Sequence, residues 1–90
     1  MQKYVIEREI PGLGGYTDEE VRAVAQKSNA VLAELSPKVQ WVQSYVTQDK
    51  MYCVYVADDA EVVREHARRG GSPADAVVQV ATVVDPTTGD

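Results

Sequence analysis

The segment at residues 44–71 has the sequence SYVTQDKMYCVYVADDAEVVREHARRGG. Its first half is rich in valine and tyrosine on both sides of Gln48-Asp49, a composition typical of two strands joined by a tight turn. Its second half predicts a helix, because Asp58 and Glu61 have capping-box spacing and Gly70-Gly71 can adopt the left-handed turn that ends helices. The segment therefore predicts a β-hairpin followed by one helix.

The flanking sequence adds a strand and a helix before the hairpin and a strand after the second helix. Tyrosine, valine and isoleucine alternate with charged residues near the N-terminus, as in a half-buried strand. Thr17 and Glu20 also have capping-box spacing, and an apolar stripe at helical spacing continues from there until Pro37 stops it. We predict strands at residues 3–10, 39–47, 50–57 and 77–84, and helices at residues 17–36 and 58–69.

The predicted order β-α-β-β-α-β is that of the ferredoxin-like fold, an α+β sandwich. Right-handed crossovers place both helices on one face of a four-stranded antiparallel sheet. The other face is left uncovered, and we expect it to lie in a dimer interface because exposed aromatic surface is rarely left in contact with water. A single domain is expected at residues 1–84, followed by a polar, poorly ordered tail at residues 85–90.

The amino-acid composition limits which binding partners and which cellular compartment are expected for the protein. The chain has 90 residues, with 14 acidic and 9 basic residues and a net charge of −5. Nucleic acids and anionic membrane surfaces attract basic footprints, so neither is an expected partner. No segment approaches the roughly 20 apolar residues of a membrane span. The N-terminal residues contain no apolar run typical of a signal peptide, so we expect a cytoplasmic protein. The one cysteine, Cys53, cannot form a disulfide within the chain and indicates a reducing compartment or a buried thiol.

Strand alternation predicts which side chains lie on the uncovered face of the sheet. Val54 and Val56 are expected to pack under the helices, as is Val46 in the preceding strand, so their neighbours point the other way. The uncovered face then forms a plain dimer interface or encloses a ligand pocket between two sheets, in which Glu7 acts as a base. The predicted pocket residues are Glu7, Trp41, Gln43, Tyr45, Cys53 and Tyr55, with Glu9 on the same face.

The single histidine, His66, lies at helical spacing from Val62 and Val63 and is therefore expected to face the core. It is either a core histidine with a hydrogen-bonded ring, or a metal ligand or general base. A catalytic pair with Cys53 is disfavoured, because the predicted alternation places the two side chains on opposite sides of the sheet.

Two classes of cofactor are not expected. The pattern Gly12-x-Gly14-Gly15 lacks the third glycine of a dinucleotide fingerprint, since Thr17 stands at that position, and it predicts a flexible turn instead. One cysteine cannot ligate an iron–sulfur cluster, and no histidines or cysteines have the spacing of a closed zinc site. We therefore expect neither a nucleotide nor an iron–sulfur cluster.

Four segments resemble those of a family of short bacterial proteins, the DUF4242 or nickel-binding-protein-like family. The similarity extends from Lys3 to about Thr88. The resemblance implies a ferredoxin-like homodimer and suggests nickel binding as its role, and it implies no catalytic residues. The four segments are residues 3–8 (KYVIER), 41–47 (WVQSYVT), 52–55 (YCVY) and 65–71 (EHARRGG).

Nickel is compatible with the residue types present, because Ni²⁺ accepts imidazole nitrogen and carboxylate oxygen. One histidine per chain cannot complete its coordination, so carboxylates, water or groups of a second subunit must contribute. Our first hypothesis is a non-enzymatic cytoplasmic protein that binds and sequesters nickel or another divalent metal. The alternatives are a cofactor-independent enzyme or small-molecule binder that uses the pocket on the uncovered face, and a purely structural interaction module. The candidate metal ligands are His66, Glu65, Asp58, Asp59, Glu7 and Glu9.

Overall fold

The computed structural model describes residues 1–71 and 74–90. Its elements follow the predicted order, with two short 3₁₀ helices in addition, at Leu13–Gly15 and Pro86–Gly89. The long elements are strand β1 (Gln2–Glu9), helix α1 (Asp18–Leu35), strands β2 (Val39–Val46) and β3 (Lys50–Ala57), helix α2 (Ala60–Gly70) and strand β4 (Ala76–Gln79).

The strands form one antiparallel sheet in the order β2-β3-β1-β4. The core joins one face of this sheet to both helices: Ile6 of β1 and Tyr55 of β3 are buried in the same cluster as Val31 of α1 and Val63 of α2. The predicted ferredoxin-like α+β architecture is therefore confirmed, with two helices on one face and the other face uncovered in the chain.

Local signals in the sequence define the ends of both helices. In α1, the Thr17 hydroxyl accepts a hydrogen bond from the Glu20 amide (3.1 Å) and the Glu20 carboxylate accepts one from the Thr17 amide (3.0 Å), which completes the predicted capping box. The N-cap of α2 is Asp59, one residue later than predicted, and its carboxylate accepts a hydrogen bond from the Val62 amide (2.9 Å). At the other end of α2, Gly71 has the expected left-handed conformation, with φ of 69°.

The C-terminal part of the chain differs from the prediction. Strand β4 ends at Gln79 rather than at Val84, although the Val80 amide still donates to the Lys3 carbonyl (2.8 Å). The sequence also predicts one helical turn at residues 72–75, of which Ser72 and Pro73 lie outside the described residues. The polar C-terminal tail contains a 3₁₀ helix capped by Asp85, where no regular structure was predicted.

The alternation predicted for β3 is wrong. Met51, Cys53 and Tyr55 are buried under the helices, whereas Val54 and Val56 lie on the uncovered face. Because β3 is apolar on both sides, its own sequence does not fix which side is buried. The large side chains of methionine and tyrosine fill the space between the sheet and the helices, which valines would leave poorly packed.

A β-bulge in β2 changes the alternation there as well. Trp41 pairs with Tyr55, but Gln43, only two residues further, pairs with Val54. Trp41 therefore points toward the helices, which corrects its predicted place on the uncovered face, while Gln43 and Tyr45 point to the uncovered face as predicted.

Candidate ligand-binding cavity

A cavity of about 340 Å³ lies between the sheet and α1, with the C-terminal end of α2 at one side. Its volume falls within the range of small-molecule binding sites, which is roughly 300–1,000 Å³. Its exposed lining residues, Val21, Val46, Lys27 and Gly71, border the opening to solvent. The walls are largely apolar and are formed by Leu13, Val21, Val24, Ala25, Trp41 and Met51.

One end of the cavity is polar, because four side chains from two strands and two helices meet there. Arg8 Nη2 donates a hydrogen bond to the Tyr55 hydroxyl (3.2 Å), and that hydroxyl lies 3.0 Å from His66 Nε2. The hydroxyl of Ser28, on α1, lies 3.2 Å from the same nitrogen. All four residues line the cavity.

Arg8 reaches this position because it is the third inward-facing residue of β1, after Tyr4 and Ile6. It is only 6% exposed. None of the ion pairs between described residues includes Arg8, and the two residues outside the description, Ser72 and Pro73, carry no charge. Arg8 is therefore a buried cation without an acidic partner in this chain, and its Nε has no hydrogen-bond partner among the described groups.

His66 is held neutral at physiological pH. Burial, with the nearby Arg8 charge as a second cause, lowers the pKa of His66 from 6.5 to about 4. Its Nδ1 is buried without a hydrogen-bond partner among the described groups, and its ring packs edge-on against Tyr55 with 5.1 Å between ring centroids. Burial also raises the pKa of the Tyr55 phenol, so that group remains a neutral hydrogen-bonding hydroxyl.

The cavity has a charge opposite to that of the whole protein. Its described lining contains two basic residues, Arg8 and Lys27, and no aspartate or glutamate. The chain as a whole carries a net charge of −5. The cavity can therefore accept an anionic group at its polar end, while a cation there would be repelled by Arg8.

The predicted pocket residues lie in two separate places. Trp41, Cys53 and Tyr55 line the cavity under the helices, instead of the uncovered face where they were expected. The remaining pocket residues do lie on the uncovered face. Gln43 and Tyr45 are joined there by a side-chain hydrogen bond, and Glu7 accepts one from Lys50 Nζ (2.6 Å).

Cys53 and His66 lie on the same side of the sheet, which corrects the prediction that the sheet separates them. No hydrogen bond joins them among the described contacts. The contacts of His66 Nε2 are instead with Tyr55 and Ser28, and no third group orients the ring through Nδ1. The described residues therefore do not form the arrangement of hydrolytic triads, in which an oriented base activates a nucleophile.

The predicted metal ligands are not brought together. Asp58, Asp59 and Glu65 border a shallow depression beside α2, away from His66, and Glu65 forms ion pairs with Arg68 and Arg69. The other two candidates, Glu7 and Glu9, lie on β1. Within residues 1–71 and 74–90, no group of three or more His, Cys, Asp or Glu side chains is placed to hold a metal ion.

The glycine-rich loop has a structural role. The amide of Gly14 donates to the Gln48 carbonyl (2.8 Å), and the amide of Gly12 donates to the Asp49 carboxylate (2.9 Å). These amides are therefore used to attach the loop to the β2–β3 turn, as expected for a turn and unlike a phosphate-binding loop.

Sequence reasoning missed Arg8 and Ser28 as members of the site. The signal for Arg8 was present, because Glu7 and Glu9 were predicted on the uncovered face and alternation then turns Arg8, which lies between them, toward the helices. Ser28 occupies one position of the apolar stripe of α1, where a hydroxyl indicates a polar partner on the facing strand or helix.

The fold and the cavity together define a small ferredoxin-like α+β protein with a ligand-sized, positively charged site under its helices. A family model described as "Nickel responsive protein SCO4226-like" matches residues 4–80. The chain therefore belongs to this nickel-responsive family. The expected link to a nickel-related family is confirmed, whereas the name DUF4242 is not.

The structure is similar to the crystal structure of SCO4226 from Streptomyces coelicolor A3(2), with a TM-score of 0.76 and 21% sequence identity. The similarity covers 91% of this chain and 99% of that chain. At this level of identity the likeness establishes the fold. No curated protein matches the sequence. No helix in the described part of the chain is both long and apolar enough to cross a membrane.

The family description implies nickel, and the residues of one chain do not fit a nickel centre. The only histidine and the only cysteine of the chain, His66 and Cys53, both line the cavity, which contains Arg8 and Lys27 and no described carboxylate. A divalent cation at His66 would lie close to the Arg8 charge. The acidic residues outside the cavity do not group into a ligand set.

Proposed function

We propose that this protein binds a small organic molecule in the cavity between its sheet and α1, and that it acts as a binding protein rather than as an enzyme. The observation that carries the proposal is a cavity of about 340 Å³ with apolar walls and polar groups gathered at one end. Such a site fixes the orientation of a ligand that has an apolar body and one polar end. The lack of an oriented base beside Cys53 or Ser28 favours binding over covalent chemistry.

Trp41 offers a direct readout of binding, because it is the only tryptophan of the chain and it lines the cavity. We expect its fluorescence to change in a saturable manner when the protein is titrated with benzoate, benzamide or benzyl alcohol. Ala25→Phe places a ring in the cavity and is expected to abolish the response. Ala30→Phe places the same ring on an exposed position of α1 and is the matched control.

Two outcomes would overturn the proposal. If none of the three molecules changes the fluorescence of the folded wild-type protein, the cavity does not act as a binding site. If Ala25→Phe and Ala30→Phe respond like the wild type, binding occurs outside the cavity. Thermal unfolding of each variant verifies that it is folded.

Divalent metal binding is a second candidate, favoured by the description of the family. Because one chain lacks a suitable ligand set among its described residues, nickel would bind between chains that associate through the uncovered sheet face. Glu7 and Glu9 of two chains would supply carboxylate oxygens there, and nickel binding would accompany self-association.

The metal proposal is tested by measuring molar mass by light scattering with Ni²⁺ and with a chelator. We expect Ni²⁺ to increase the fraction of dimer, and the double variant Glu7→Gln/Glu9→Gln to lose that response. Asp18→Asn/Glu19→Gln, which removes two carboxylates from the start of α1, is the control. Nickel bound by a chain that stays monomeric, or an unchanged response of the Glu7/Glu9 variant, would refute this site.

A further inference from the structure

The polar end of the cavity contains a buried positive charge, Arg8, that no acidic residue in the described part of the chain neutralises. Arg8 is 6% exposed, and its one hydrogen bond among the described contacts, to the Tyr55 hydroxyl, uses one of its five N–H groups. Burying a charge costs desolvation free energy. Proteins offset this cost by placing an opposite charge beside it. The described lining of the cavity offers no carboxylate for the purpose.

The neighbours of Arg8 do not substitute for a counter-ion. Tyr55 and Ser28 are neutral hydroxyls, His66 is neutral at pH 7, and Lys27 adds a second positive charge at the opening. A group that completes this site therefore has to carry a negative charge, and no described residue of the lining supplies one.

We propose that the ligand of the cavity is a small monocarboxylic acid whose carboxylate pairs with Arg8 and whose apolar body lies against Leu13, Val24 and Trp41. The inference rests on the proposed function, since it names the chemical class of the molecule that the cavity binds. A carboxylate suits the planar guanidinium group, which forms paired hydrogen bonds with it. The Tyr55 and Ser28 hydroxyls are close enough to contribute further donors at the same end.

The composition of the cavity favours one carboxylate and an apolar remainder. A single buried guanidinium neutralises one negative charge, and a second carboxylate placed against Val24, Ala25 and Met51 would lie on apolar wall without a partner. Benzoate and its neutral analogue benzamide have nearly the same shape and differ in charge. Their comparison isolates the contribution of the carboxylate.

The first test uses the wild-type protein and needs no variant. Trp41 fluorescence titrations with benzoate, benzamide and inorganic phosphate are performed at pH 7. We expect benzoate to bind at least tenfold more tightly than benzamide and phosphate to bind weakly or not at all. Equal binding of benzoate and benzamide, or preferential binding of phosphate, would overturn the assignment of a carboxylate ligand.

The second test assigns the carboxylate to Arg8. Arg8→Met keeps the unbranched first part of the side chain and removes its charged end, and we expect benzoate affinity to fall at least tenfold while benzamide affinity changes little. Arg22→Met, on an exposed position of α1, is the matched control and is expected to bind both molecules like the wild type. If Arg8→Met does not fold, Tyr55→Phe, which removes one donor beside the guanidinium, is expected to weaken benzoate binding more than benzamide binding.

The outcomes separate the two proposals. If neither benzoate nor benzamide binds, the proposed binding function of the cavity fails. If both bind, and Ala25→Phe blocks both, but Arg8→Met does not change their ratio, the binding function stands and the carboxylate assignment fails. A lowered preference for benzoate in Arg8→Met alone supports both.

Discussion

At the scale of single residues, the site depends on a contact series from Arg8 through Tyr55 to His66. The Arg8 guanidinium donates to the Tyr55 hydroxyl, and the same hydroxyl lies within hydrogen-bond distance of His66 Nε2. These groups are buried at the centre of the sheet and of α2. Burial, with the nearby Arg8 charge as a second cause, lowers the pKa of His66, so the ring accepts no second proton at pH 7.

The protonation of His66 predicts a pH dependence of stability. The pKa of His66 is about 4 in the folded protein and 6.5 in the unfolded chain, so below pH 6.5 the unfolded chain binds a proton that the folded protein does not. Stability is therefore full above pH 6.5 and is lost as the pH falls toward 4. We expect the free energy of unfolding from urea titrations to decrease by about 2 kcal/mol between pH 7 and pH 5 because of this group.

The variant His66→Asn serves as the comparison, because it removes the only histidine of the chain. Its absolute stability will differ, so the slope with pH is the quantity compared. We expect the variant to lose clearly less stability than the wild type over this interval. Parallel slopes would mean that His66 titrates alike in the folded and unfolded states.

At the scale of secondary-structure elements, close backbone contacts attach the loop before α1 to the β2–β3 turn. Gly14 donates its amide to the Gln48 carbonyl, and a Cβ atom added to Gly14 would lie 2.9 Å from the Gln48 Cα. Only glycine permits this close approach of two backbones. The contact holds Leu13, which is buried and forms part of the cavity wall.

This close approach predicts different effects for two adjacent glycines. Gly14→Ala is expected to lower the free energy of unfolding by about 1–3 kcal/mol, because the loop must move away from the turn. Gly15→Ala meets no atom within 4 Å, so its effect is expected to stay within about 1 kcal/mol. Urea unfolding of both variants measures the difference. Equal stabilities would show that the loop does not need the contact.

The sequence predicts elements well where a local signal exists. The Thr17 cap, the stop before Pro37 and the β2–β3 turn all depend on neighbouring residues and were predicted with boundaries close to those observed. The side of β3 that is buried depends on its partners across the sheet. Tyr52, Val54 and Val56 are as apolar as Cys53 and Tyr55, so alternation alone could not decide between the two sides.

The position of the candidate site could not be predicted from the sequence for a related reason. The bulge between Trp41 and Gln43 is a tertiary feature that no pattern in β2 announces. The bulge explains the misplacement of Trp41, and the wrong side chosen for β3 explains that of Cys53 and Tyr55, so all three were expected on the uncovered face. Arg8, by contrast, was predictable from the parity of Ile6, and its significance emerges only when the lining shows no acidic partner.

At the scale of the whole molecule, the two faces of the sheet differ in whether the helices cover them. The helix-covered face contains the core and the cavity. The uncovered face presents partly buried Val5, Tyr52 and Val54 together with the exposed Tyr45 and Val78. An exposed sheet face with this much aromatic and aliphatic surface is typical of an interface between subunits.

We predict a homodimer that uses the uncovered face. Val54→Glu places a charge at the centre of this face and is expected to raise the dissociation constant of the dimer at least tenfold, as measured by sedimentation velocity over a range of concentrations. Ala30→Glu adds the same charge to an exposed position of α1 and is expected to leave the dimer intact. A wild-type protein that stays monomeric at millimolar concentration would refute the prediction.

The proposed ligand links these scales. Its carboxylate would pair with the buried Arg8, its apolar body would contact the Leu13 wall that the loop holds in place, and the uncovered face would stay free for a second chain. A crystal structure of the protein grown with benzoate tests this directly. The account predicts the carboxylate within about 3 Å of the Arg8 guanidinium and the ring beside Trp41. Benzoate bound only on the uncovered sheet face, or an Arg8 paired with a carboxylate of its own chain, would contradict it.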